Sequence, residues 1–402
     1  MHSALRPGHD FYFNTYAPKV RSCGIVANER YYAWLQAACF DPLSDSAVAD
    51  AIEAVGLAGL GNVSKAPQIS CQAYDVYCRA RKKLDALLED PDKRPEDETL
   101  LVLITLCFFQ TVYFETWQSH NAWAELVWKG VELIDIRGSQ QFKDEIGGIL
   151  YAQIRAPILC LCVQHGYPVP PALVSATYTF ENGAIRQEWL KSEYASPASM
   201  SVISFQLVNL GAAIRQGQFT DTSGIRDRAM AIDRDLQAWA SVLPAHWKWF
   251  QLPPRINGEI DYDSSQFQYA GNTWLAEIQN TYRSLRIVAL RLVGHDKESR
   301  SDGEVLAAIR DLSDEICCSV AVFDNVSRAL SVLRPLMVVF LAESNPLATR
   351  RYAAQALLRV GGRLGVKNAT DVAELVLGCL GGESSGGLER LDYDTVPIAA
   401  TF

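Results

Sequence analysis

With 402 residues, 49% of them hydrophobic and 21% charged, the chain can form a large buried core and lacks the composition of a disordered protein. Its formal net charge of −9 gives no basic surplus for nucleic-acid phosphates or an anionic bilayer, so neither direct nucleic-acid binding nor membrane binding is expected. The first residues, MHSALRPGHDFYF, lack the basic start and apolar run of a signal peptide, which points to the nucleus or cytoplasm rather than secretion.

In chain order, Pro7-Gly8 reads as a turn before the aromatic cluster Phe11 to Tyr16, which needs a surface to pack on. Asn28 to Phe40 reads as a helix stopped at Asp41-Pro42. Ser44 or Asp45 can cap the next helix, Ala47 to Leu60, which is expected to end at Gly61-Asn62. Pro67 opens a longer helix in which Ile69, Ala73, Val76, Ala80, Leu84 and Leu87 keep the i, i+3/i+4 rhythm. The charged loop 90–98 follows. Thr99 to Phe114 is uncharged but shorter than the roughly twenty residues of a membrane span, so it reads as a core helix.

Trp117 to Gly138 is the most informative stretch. Trp123, Val127, Val131 and Ile134 form one apolar stripe, and Leu126, Gly130, Leu133 and Ile136 a second, so a broad face is buried. Arg137-Gly138 is a helix stop. Ile146 to His165 is another helix. Residues 175–199 lose periodicity and read as a long loop between two halves.

Helices resume at 200–216 and 225–243, then at 267–293, the longest, after the aromatic loop His246 to Phe250 and the polar loop 251–265. Residues 303–324, 328–344, 347–365 and 371–379 complete the set, before a Gly-Ser spacer. About a dozen helices and no alternating β segments predict an all-α fold, with a solenoid-like array of helix pairs as one form of it. The expected organisation is a flexible start at 1–9, one helical domain at 10–380 with halves to about 174 and from 200, the joining loop 175–199, and a flexible tail at 381–402.

Phosphate-loop, dinucleotide and H-E-x-x-H patterns are absent. One literal G-x-S-x-G, Gly382 to Gly386, follows a helix and has no later histidine, so it does not read as a nucleophile elbow. The 10 cysteines show no C-x-x-C pair and read as reduced core residues. No metal site and no cofactor are expected. His120 lies three residues from both Trp117 and Trp123, so the three can share a helix face, with the histidine as a ligand contact, as an acid or base, or as a half-buried side chain with one backbone partner. His165 sits at a helix end, beside Gly166. Arg155 and Arg286, the latter beside Tyr282, interrupt apolar helices and need an acidic partner, from the protein or from a ligand.

Taken in order, these segments resemble the fungal-specific regulatory domain of binuclear zinc-cluster transcription factors. Phe11 to Tyr16 is similar to its aromatic opening, and Ile69 to Pro91 to its A-x-x-Y-x-x-A-L helix ending in Asp-Pro. Asp97 to Leu100 with the apolar run resembles the helix that follows. Trp123 to Gly138 resembles the W-x-x-H-x-x-G-A-x-x-L-I-x-x-R-G signature, with Leu126 in place of the histidine and Lys129-Gly130 in place of Gly-Ala. Phe142, Ile146 to Cys162 and Val169-Pro170-Pro171 continue the match. So do Trp247, Trp249, Trp274 to Val293, Ala329 to Leu341 and Arg350 to Val376.

The resemblance implies a regulatory domain. The family's six-cysteine zinc cluster has no counterpart here, so the expected protein is a regulator without its own DNA-binding module. It would work through a protein partner, a homodimer or a small-molecule ligand, in a setting such as fungal secondary metabolism. The alternative is an enzyme on a recruited regulatory scaffold, catalysing a cofactor-free cyclisation or isomerisation of a pathway intermediate. Trp117, His120, Trp123, Arg155, Trp274, Tyr282 and Arg286 are the candidate pocket residues for either role. A third reading is that a zinc module is encoded upstream.

Overall fold

The computed structural model describes residues 6–17, 27–40, 46–114, 117–191, 199–247, 255, 260–262, 273–293, 303–323 and 329–381. Within them the protein is all-α, with no strand among the described residues. Sixteen α-helices follow one another: α1 Pro7–Thr15, α2 Ala27–Phe40, α3 Ala47–Ser64, α4 Pro67–Glu89, α5 Asp97–Tyr113, α6 Trp117–Arg137, α7 Glu145–His165, α8 Pro171–Glu181, α9 Ala184–Trp189, α10 Ser201–Arg215, α11 Thr222–Ser241, α12 Thr273–Val293, α13 Gly303–Ser319, α14 Leu330–Leu341, α15 Leu347–Leu364 and α16 Lys367–Gly381.

The centre is α5. Every residue from Thr99 to Tyr113 is buried, as expected of a helix apolar on all sides. It touches α3, α4, α6, α7 and, from far along the chain, α16. Contacts between α3 and α15 likewise join distant segments, so the array closes on itself instead of forming an open stack. One described helix, α7, is long and apolar enough to cross a bilayer, but 56% of its apolar window is buried inside this fold.

The amino-terminal helix α1 is held on α3 by backbone contact. A Cβ on Gly56 would stand 1.8 Å from the Gly8 carbonyl oxygen, so only glycine permits the crossing. Glu53 of α3 then caps α1, accepting from Gly8 N–H at 3.3 Å and His9 N–H at 2.9 Å. Next to it, buried Asp50 draws in Arg79 at 2.9 Å and Lys83 at 2.7 Å from α4. These partners hold the Asp50 carboxyl below its ordinary range against the opposing effect of its burial, the largest single influence on it. Tyr16, just past α1, donates to the Leu364 carbonyl at 2.7 Å and so reaches α15.

The Arg-Gly stop of α6 is a clamp. Arg137 is buried and donates to Pro95 O at 2.6 Å and Gln141 Oε1 at 2.5 Å, and it ion-pairs with Asp97. It thus ties the end of α6 to the start of α5. Gly138, Gly166 and Gly365 follow α6, α7 and α15 with φ of 49°, 65° and 68°, the left-handed geometry of a helix stop.

Several expectations are corrected. Within the start expected to be flexible to residue 9, Pro7-Gly8 is the first turn of α1 and not a turn before it, and Gly8 and His9 are buried. The helix α3 runs past Gly61 to Ser64 and starts under Ser46, whose Oγ accepts from Ala49 N–H at 3.3 Å. Gly61 serves close packing instead: a Cβ there would meet Ser70 Oγ of α4 at 2.7 Å. The stretch 175–199 is not one loop, for α8 extends through it to Glu181 and α9 follows. Its helical stripe, Leu173, Ala176, Thr177 and Phe180, is buried, and Thr177 and Thr179 return their hydroxyls to the carbonyls of Leu173 and Ser175. Polar residues there mask a helix because their polarity is satisfied internally. Residues 192–198 lie outside the described residues, as do 263–272 at the expected start of the longest helix. Ile136, assigned to the buried arc, is 50% exposed. Cys71 is exposed and Cys78 and Cys379 only half-buried, whereas the six other described cysteines are in the core.

Candidate functional site

The most unusual chemistry lies where the first turn of α6 meets the last turn of α7. His120 packs on Trp123 one turn later, with ring centroids 5.5 Å apart and planes 26° apart. Trp123 itself is 1% exposed, so it forms a rigid wall for the imidazole. From α7, His165 brings its Nε2 to 3.2 Å from the Nε2 of His120. Their planes differ by 18° and their centroids are 5.3 Å apart, which exceeds the nitrogen separation by about a ring radius on each side. The rings therefore meet edge to edge, as an imidazole–imidazole hydrogen bond requires.

Only one nitrogen of the pair can carry the shared hydrogen while both rings stay neutral. Burial, and then the neighbouring His165, hold the His120 pKa below the ordinary histidine range. Burial, and then Arg215, do the same for His165. The Nδ1 of His120 is buried without a hydrogen-bond partner. A hydrogen on Nδ1 would be an orphaned buried donor, so the favoured tautomer has His120 Nε2–H donating to His165 Nε2.

The ring pair continues outward. His165 lies parallel to Tyr167 at 5.5 Å, and Tyr167 meets Trp128 of α6 at 5.6 Å. Tyr167 and Trp128 are 41% and 37% exposed, so the aromatic row runs from the core to the surface. Beside it is an open depression lined by Gln164, His165, Gly166, Tyr167, Arg215 and Gln216. Arg215 donates to the carbonyls of Val163 at 2.7 Å and Gln164 at 2.8 Å, and Gln216 donates to that of Gly166 at 2.9 Å. The carbonyls at the end of α7 are thereby capped by side chains of α10 and its C-cap. No group of three or more histidine, cysteine or acidic side chains able to hold a metal occurs among the described residues.

The other sequence candidates are placed elsewhere. The Trp117 side chain lies outside the described residues. Arg155 donates to Ser201 Oγ at 2.8 Å, joining α7 to α10. Arg286 grips Asp233 of α11 with two bonds, at 2.6 and 3.1 Å, and reaches Tyr282 OH at 3.3 Å. Tyr282 packs against Trp239 at 5.5 Å. Trp274 is half-buried in the first turn of α12. In the described contacts, then, the set divides into His120 with Trp123, Tyr282 with Arg286, and Arg155 alone. The acid that Arg286 needs is supplied by the protein.

A second polar recess, of about 210 Å³, lies between α13, α15 and residues 260–262. Tyr262 donates to buried Asp314 at 2.5 Å and shares a 3.1 Å hydrogen bond with Thr349. Arg255 joins Asp314 at 2.7 Å and Asp311 at 2.5 Å. Burial is the main cause that raises the Tyr262 phenol far above its ordinary range. Neither this recess nor the histidine pair was apparent as a unit in the sequence. The visible trace of the recess is an acid, Asp314, set between the apolar Leu312 and Ile316; the trace of the pair is two unpaired histidines at helix ends.

Comparison with known proteins finds no matching family model, no matching characterised relative and no matching solved structure.

Proposed function

We propose that this chain is a regulatory domain of the transcription-factor type, working through a protein partner or a small-molecule ligand and not by direct contact with DNA. The reading rests on the ordered landmarks that resemble the fungal regulatory domain. One observation supports it most: the signature helix is retained as architecture. Trp123, Leu126, Val127, Leu133 and Ile134 of α6 are each at most 1% exposed, and Arg137 wires α6 to the central α5. The two departures from the signature fit the same use. Leu126 is fully buried, and Lys129 faces outward to Asp85 of α4 at 3.2 Å and Glu125 at 3.3 Å. The net charge of −9 argues against a nucleic-acid surface on this domain.

The test is to fuse the full chain to a heterologous DNA-binding module in a fungal host and read a reporter, alongside transcript profiling of a deletion strain. A reporter response and a compact set of altered transcripts are expected. A silent reporter together with an unchanged transcriptome refutes the proposal. The enzymatic alternative draws on the imidazole of His165 beside an open depression, a place where an acid or base could meet a ligand. Incubation with candidate pathway intermediates, comparing wild type with His165→Gln, tests it. Turnover above background that His165→Gln abolishes would favour that alternative.

A further inference from the structure

The two histidines sit 45 positions apart on different helices, yet they bring two nitrogens that can share one hydrogen to 3.2 Å. We propose that the His120–His165 pair is a proton-sensitive latch between the first turn of α6 and the last turn of α7, closed while both rings are neutral and released by mild acidification.

The closed state uses one hydrogen, on His120 Nε2. A proton added to His165 Nε2 puts hydrogens on both facing nitrogens and abolishes the acceptor. The pair keeps a bond only with a hydrogen on His120 Nδ1, whether moved or added there, and among the described residues that atom is buried with no acceptor. A second proton sets two cations against each other at this distance. Among the described residues no acid faces the pair, and the carbonyls at the end of α7, which would otherwise favour a cation, already accept from Arg215 and Gln216. Arg215, from α10, is the charged group facing His165, and it carries the same sign. Tyr167 is the titratable neighbour from the segment after α7. On α6 itself, Glu125 is turned to Arg81 of α4 at 2.6 Å and to Lys129. Trp123 offers His120 an aromatic face with no hydrogen-bond acceptor.

The sign follows from these surroundings. Both groups are harder to protonate in the fold than in the unfolded chain, so the opened or unfolded form binds more protons. Stability at this junction is complete above the ordinary histidine range, near pH 6.5, and falls as pH drops through and below it.

Hydrogen exchange on the full chain, corrected for the intrinsic rate, tests the latch between about pH 7.5 and pH 5. Peptides covering 117–124 and 160–168 are expected to exchange several-fold faster at the acid end, while α3 and α14 do not change. In His165→Gln, whose amide can still bond to His120 without titrating, the acid-dependent rise shrinks; in the double variant His120→Gln/His165→Gln it vanishes. An equal rise in the double variant, a flat profile in wild type or a rise spread over the whole chain overturns the proposal. If the variants do not fold, histidine ring carbon chemical shifts in the wild-type protein decide. Two coupled titrations displaced below the free-histidine range support the latch, and two independent ordinary curves refute it.

Discussion

The ion pair between Arg286 and Asp233 separates a structural arginine from one waiting for a ligand. Replacing Arg286 with Met keeps the length and apolar stem of the side chain and removes the guanidinium. Asp233, with a side chain 9% exposed, would keep Gln237 at 2.6 Å as a hydrogen-bond donor and lose its cation. Truncating one side of a buried pair costs about 3–5 kcal/mol; here Arg286 retains 16% exposure and Gln237 remains, so about 2–3 kcal/mol is expected. The Asp233→Leu change strands the guanidinium and should cost a similar amount. In the double variant no charge is left behind, so it should recover about 1–3 kcal/mol relative to the sum of the single changes. Urea unfolding followed by tryptophan fluorescence suits the measurement, because Trp239 packs on Tyr282 beside the pair. Additive single-variant losses, with no recovery in the double variant, would refute the assignment of Arg286 to the frame and return it to the list of ligand contacts.

Three further outcomes follow from packing. Gly56→Ala should cost about 2–3 kcal/mol and loosen α1, since the new methyl would stand 1.8 Å from the Gly8 backbone; Gly378→Ala on α16, with nothing within 4 Å, should instead stabilise by about 0.5–1 kcal/mol, and parallel melts compare the two. Tyr262→Phe should cost about 1–3 kcal/mol by leaving Asp314 Oδ1 without its hydroxyl donor, measurable by denaturant unfolding. Placing a histidine in the core of α6 as Leu126→His should cost about 3 kcal/mol, because the site is fully buried; an unchanged midpoint would mean that the helix can hold a polar group there.

Much of the helical framework was legible in sequence. The stops at Gly138, Gly166 and Gly365 were, because a left-handed residue after an apolar stripe is a local signal. The stripe of α4 was too: Ala73, Val76, Ala80 and Leu84 are all buried. Of the candidate site, His120 and Trp123 were legible as neighbours on one helix face. Their partner His165 was visible only as a helix-end residue, since nothing in its neighbourhood names His120. Two elements escaped for opposite reasons. The helix α8 was hidden by threonines whose hydroxyls bond back along the chain, and Gly61 looked like a stop when it was a point of contact with α4.

By itself the sequence determined that this chain is all-α, where most helices begin and end, and that its core is large. Those properties depend on residues within a turn or two of one another, and periodicity records them. Which helix meets which was decided by tertiary structure alone. Arg137 clamps Asp97 forty positions away, Arg286 finds Asp233, and His165 is carried to within a hydrogen bond of His120. Such pairs form because burying the apolar faces brings them together, and a polar group taken out of water must then find its partner among whatever the packing supplies.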